Sequence, residues 1–115
     1  MEIKRDKIGA RMSQVVSYNG LVFLAGQVAD NTDTDVAGQT RDILNKIDAL
    51  LAEAGTDKTK VLSASVWLSD ISTFDQMNSE WDKWVVEGKT PARACVESKL
   101  AFPRFTVEIA VVAAV

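Results

Sequence analysis

Residues 105–113, Phe-Thr-Val-Glu-Ile-Ala-Val-Val-Ala, constrain the fold more than any other stretch of the chain. In an extended strand Phe105, Val107, Ile109, Val111 and Ala113 share one side, and Ala110 and Val112 share the other with Glu108. A strand that is apolar on both sides belongs in a sheet covered on both faces. The rest of the chain must supply one cover, and any face it leaves bare must meet another molecule.

The upstream pattern supplies one cover. Residues 14–18 and 21–25 flank Asn19-Gly20, a pair that accepts the positive φ values of a type I′ turn, which predicts a β-hairpin. Val36, Thr40, Ile43, Leu44, Ile47, Leu50, Leu51 and Ala54 recur at helical spacing, with Thr34 or Asp35 as N-cap and Gly55 as the stop. Residues 61–68 alternate Leu62, Ala64, Val66 and Leu68 against Ser63, Ser65 and Trp67, the pattern of a strand. A second helix is expected to open on a capping box of Ser72 and Asp75, to carry Phe74, Met77, Trp81, Trp84 and Val85 on its apolar stripe, and to close at Gly88. Pro91 leads into a strand over residues 92–98, and a loop holding Pro103 leads into the last strand. The order predicts an α+β fold in a single domain over residues 1–115, a mixed sheet with two helices on one face. Two helices cover one face only, so a second subunit is expected on the other.

Composition removes several classes of function. The chain has no His and one Cys among 115 residues, with a net charge of −3. Zinc sites of the usual Cys/His kinds and His-dependent nucleophiles are therefore ruled out, and no intrachain disulfide can form. Neither a P-loop nor a dinucleotide fingerprint occurs, so no metal and no cofactor is expected. A net negative charge disfavours nucleic acid as a partner. The run Met1-Glu2-Ile3-Lys4-Arg5-Asp6 is no signal peptide, and no stretch approaches the roughly 20 apolar residues of a membrane span. A cytoplasmic protein is expected.

The last two strands, closed as an antiparallel hairpin around residues 99–104, pair Ser98 with Phe105 and set Cys95 opposite Glu108 and Arg93 opposite Ala110. That register gathers Arg93, Cys95, Glu97, Thr106 and Glu108 on one face, and a one-residue slip scatters them. Arg93 offers a planar fork matched to a carboxylate, as in a small oxo- or imino-acid. Glu108 can orient or deprotonate a water. The same two residues can instead form an ion pair that staples the sheet or an interface. Cys95 reads as a small buried side chain. Trp67, Trp81 and Trp84 fall at core spacing, Asn78 reads as a core or interface amide, and Gly26-Gln27 can present a bare backbone N–H to a ligand.

Pro91-Ala92-Arg93-Ala94-Cys95-Val96-Glu97, followed by Val107-Glu108-Ile109, resembles the C-terminal signature of the RidA (YjgF) reactive-intermediate deaminases. Leu24-Ala25-Gly26-Gln27 resembles that family's Ser-Gly-Gln turn, and Met77-Asn78 falls where the family often has an Asn. The resemblance covers nearly the whole chain. It implies a chorismate-mutase-like fold and a homotrimer with a central barrel and ligand clefts between subunits. It also implies hydrolysis of enamines and imines of 2-amino acids to 2-oxo acids and ammonia, a metabolite damage-control role. In that picture Arg93 grips the substrate carboxylate, Glu108 positions water, and Cys95, Gly26, Met12 and Asn78 line the cleft. Met12 stands where family deaminases usually carry a Tyr, and Ala25 replaces the turn Ser. The alternatives are a non-catalytic binder or regulator that uses Arg93 for small carboxylates and, below it, a ribonuclease or translation inhibitor, a label some family members carry.

Overall fold

The computed structural model describes residues 2–115. Six strands form one sheet: β1 (Lys4–Ile8), β2 (Ser13–Tyr18), β3 (Leu21–Leu24), β4 (Val61–Leu68), β5 (Ala92–Glu97) and β6 (Val107–Ala114). Two helices, α1 (Val36–Glu53) and α2 (Phe74–Trp84), pack against each other and against one face. The spatial order is β1-β2-β3-β6-β4-β5. Only β4 and β5 run parallel.

The predicted Asn-Gly hairpin is present. Asn19 (φ 52°) and Gly20 (φ 76°) make the turn, with Tyr18 opposite Leu21. Asp35 caps α1 by accepting from Gly38 N at 2.8 Å, and Gly55 follows the helix at φ 83°. The α1 stripe is the centre of the core: Ile43, Ile47 and Leu51 are fully buried. Taking each such side chain out of water contributes about 1.5–3 kcal/mol.

One strand was not foreseen and three local expectations are corrected. A charged strand, β1, lies at the sheet edge; Lys-Arg-Asp-Lys-Ile has no apolar alternation, and charge of this kind protects an edge from further pairing. In β4 the register shifts between Val61 and Ser63, so Val61 turns inward and Leu62, expected inside, is 51% exposed. The Ser72–Asp75 capping box does not form: Asp70 Oδ1 accepts from the Ser72 amide and hydroxyl at 2.9 and 2.7 Å and caps a 3-10 turn ahead of α2. Trp81 and Trp84 are buried as expected, but Trp67 is half-buried on the face away from the helices.

The largest correction concerns β5 and β6, which are not neighbours. The chain 61–97 is a strand–helix–strand unit, which brings β5 parallel to β4. β6 enters on the other side of β4 and pairs with it and with β3. A central position follows from its composition: Val107, Ile109, Val111 and Ala113 are buried beneath the helices, and Glu108, Ala110, Val112 and Ala114 are half-buried on the opposite side.

Candidate functional site

The strand order decides where the predicted site residues fall. Residues directly opposite each other on neighbouring strands share a face. Arg93 is opposite Ala64, and Cys95 is opposite Val66, so both lie on the helix-covered side. Glu108 is opposite Trp67, on the other side, and Trp67 also faces Val96. Arg93 and Glu108 therefore point away from opposite faces of one sheet, with β4 between their strands. The single-face constellation of Arg93, Cys95 and Glu108 is not formed within one chain, and neither is an Arg93–Glu108 ion pair.

What forms instead is two half-sites. In the first, α2 delivers Asn78 to Arg93, whose Nη1 donates to Asn78 Oδ1 at 2.8 Å and lies 3.8 Å from Met77 Sδ. The guanidinium carbon lies 5.0 Å from the centre of the Trp81 ring and 5.7 Å from that of Phe74. Cation–π contacts and one amide thus orient the fork. Among the described residues no carboxylate lies within 4.0 Å of Arg93. Cys95 is half-buried two residues along; burial pushes its thiol pKa up, and the Arg93 charge only partly opposes this. A neutral thiol at that position lines the site and is a poor nucleophile.

In the second half-site, Gln27 and Ile109 exchange backbone hydrogen bonds at 2.8 and 3.1 Å, which draws Gly26 against Glu108. A Cβ at residue 26 would overlap Glu108 Oε2 and lie 3.1 Å from Cδ. Glycine there leaves room for the carboxylate in this position, and a larger residue would displace the end of the Glu108 side chain. Gln27, 4% exposed, ties this turn to β2 by donating to Gln14 Oε1 at 2.9 Å. Met12, 55% exposed in the β1–β2 turn, is two residues from Gln14, whose carbonyl accepts from Ala25 N at 2.9 Å.

Two contributors were not foreseen. Gln39, 1% exposed on α1, donates to Arg104 O at 3.0 Å and accepts from Thr106 N at 3.0 Å. It fixes the backbone two residues before Glu108. Its sequence signal was an amide within the apolar stripe of α1, three residues past Val36. The other is Trp67, the cross-strand neighbour of Glu108.

A six-stranded mixed sheet with two helices and an oriented arginine on one face and a glycine-backed glutamate on the other defines a small α+β protein with two polar clusters on opposite sides of its sheet. The Endoribonuclease L-PSP family profile matches residues 4–115. A RutC family protein from Haemophilus ducreyi is 40% identical over 113 residues, covering 98% of this chain and 97% of that one. The RutC family protein YoaB of Escherichia coli strain K12 is 42% identical over 115 residues, covering both chains fully. A YjgF-family crystal structure from Neisseria meningitidis superposes with a TM-score of 0.96 at 47% identity, covering 99% of this chain and 95% of that one. The chain belongs to the YjgF/RutC/L-PSP family.

Proposed function

We propose that the protein hydrolyses reactive 2-imino acids, and their enamine tautomers, to 2-oxo acids and ammonium. The observation that carries this reading is Arg93, aligned by Asn78, Trp81 and Phe74 with no carboxylate partner among the described residues. A planar fork held in that way suits the carboxylate of a small acid two bonds at a time. Glu108 then accepts a proton from a water as its oxygen bonds to the iminium carbon. The resulting amino alcohol expels ammonia once its nitrogen is protonated, and the carbonyl forms. The carbon is electrophilic from the outset, so positioning and proton transfer suffice.

Because one chain holds Arg93 and Glu108 on opposite faces, a ligand that meets both needs Glu108 of one copy and Arg93 of another. The bare face supports such an assembly. It carries Val16, Phe23, Val96 and Val112 around the small residues Ser65, Ala94 and Ala110, with Phe23 and Val96 exposed by 42% and 52%. The reading is therefore of a homotrimer, built on that face, in the cytoplasm; no described helix is long and apolar enough to cross a membrane. Sedimentation that finds only monomer at micromolar concentration overturns the assembly. Met12 and Ala25, in place of the family Tyr and Ser, keep a second reading in play, a non-catalytic binder of 2-oxo acids. The deciding assay makes 2-iminopropionate in situ with an amino-acid oxidase and follows pyruvate release. Acceleration over buffer supports the hydrolase; release at the buffer rate supports the binder.

A further inference from the structure

Beside Glu108 lies a cavity of about 180 Å³, lined by Trp67, Ser98, Lys99, Leu100 and Ala101 as well as Glu108 itself. It holds two charges without partners. Among the described residues neither Glu108 nor Lys99 has an opposite charge within 4.0 Å. The nearby charges are otherwise engaged. Glu97 Oε2 accepts from Ile71 N at 3.0 Å, and Arg104 stacks over the Phe102 and Phe105 rings at 4.5 and 4.8 Å.

A charge count then defines the ligand. Arg93 of the neighbouring copy takes the α-carboxylate, and Glu108 faces the iminium nitrogen and the attacking water. Lys99, exposed at the wall of the same cavity, is the cation left over for a substrate side chain. We infer that Lys99 is a specificity-determining residue for a second carboxylate, so that the favoured substrate is the imine of a dicarboxylic amino acid. Such an imine and its conjugated enamine tautomer are planar, and the indole of Trp67 offers a flat wall beside them. An ammonium on a flexible stem suits a side-chain carboxylate whose position varies with chain length. The inference rests on the imine-binding reading above, and the test separates the two.

Calorimetry on the full-length protein measures oxaloacetate and 2-oxoglutarate against pyruvate and 2-oxobutanoate. At least one dicarboxylate is expected to bind ten times more tightly than either monocarboxylate. Lys99→Met is expected to abolish that preference, Lys99→Arg to retain most of it, and Lys89→Met, a change in a surface turn outside the cavity, to leave it in place. Equal affinities in the wild type, or an equal loss for both classes in Lys99→Met, overturn the assignment. Turnover is read in parallel, with imines made in situ from D-aspartate and D-alanine by the matching oxidases. Selective dicarboxylate binding without turnover supports the Lys99 assignment and overturns the hydrolase. Turnover with equal affinities supports the hydrolase and overturns the Lys99 assignment.

Discussion

Arg93 Nη1 donates to Asn78 Oδ1 at 2.8 Å, and with the Trp81 and Phe74 rings this bond sets which way the guanidinium faces. It joins the edge strand β5 to α2, the helix of the strand–helix–strand unit, so the orientation of the guanidinium fork is a property of local packing. A hydrogen bond to a charged group contributes about 1.5–3 kcal/mol, more than a neutral one.

Removing that amide should loosen the fork and leave its charge. Asn78→Ala is expected to weaken 2-oxo acid binding about tenfold, roughly 1.4 kcal/mol, with the Arg93 cation–π contacts still in place. Titration calorimetry checks it; unchanged affinity means the aromatic rings alone orient Arg93.

Substitution of Arg93 itself separates charge from geometry. Arg93→Ala is expected to cost about 2–4 kcal/mol of small-acid binding. Arg93→Lys keeps the charge and loses the fork, so it should recover only part of that. Full recovery by lysine shows that bidentate geometry is not used.

Gly26 and Glu108 make a steric prediction. Since a Cβ at residue 26 overlaps the carboxylate, Gly26→Ala should push Glu108 aside and lower kcat at least tenfold. Glu108→Gln keeps the shape and removes the proton acceptor, so turnover should fall more than oxo-acid affinity. An active Gly26→Ala variant shows that Glu108 can act from a displaced position.

Acid stability should depend on Glu80. This carboxylate, 8% exposed, pairs with Arg41 at 2.9 Å and Lys83 at 3.6 Å, and the Arg41 hydrogen bond holds its pKa below the ordinary value. A depressed folded pKa adds stability that is present above the unfolded value, about 4.3, and lost as pH falls through the folded one. Glu80→Gln should therefore lower the melting temperature by a few degrees at pH 7, with the difference from wild type shrinking as pH falls below about 4.3. A constant difference across that range removes the ion pair as its cause.

Much of the secondary structure was readable because its causes are local. Asn19-Gly20 fixes a turn by its own φ preferences, Asp35 caps α1 from one residue away, and the Ile43–Ile47–Leu51 stripe recurs with the helical period. Strand β1 was missed because an exposed edge needs no apolar pattern, and the turn of Val61 inward in place of Leu62 because a bulge breaks the period of two. The residue types of the site were visible too: Arg93, Asn78 and Gly26 carry the contacts that make them candidates.

The sequence by itself determined that the last strand is apolar on both sides, that two helices cover one face, and that an arginine and a glutamate fifteen positions apart are the residues to watch. Only the tertiary structure decided that Arg93 and Glu108 leave the sheet on opposite faces. The physical reason is the parity of a strand. Side chains alternate faces with a period of two, so a residue's face depends on its neighbour in space. The choice of β4 over β6 as the partner of β5 is made by the α2 crossover and by burial of β6 between β3 and β4, interactions that no window of sequence contains.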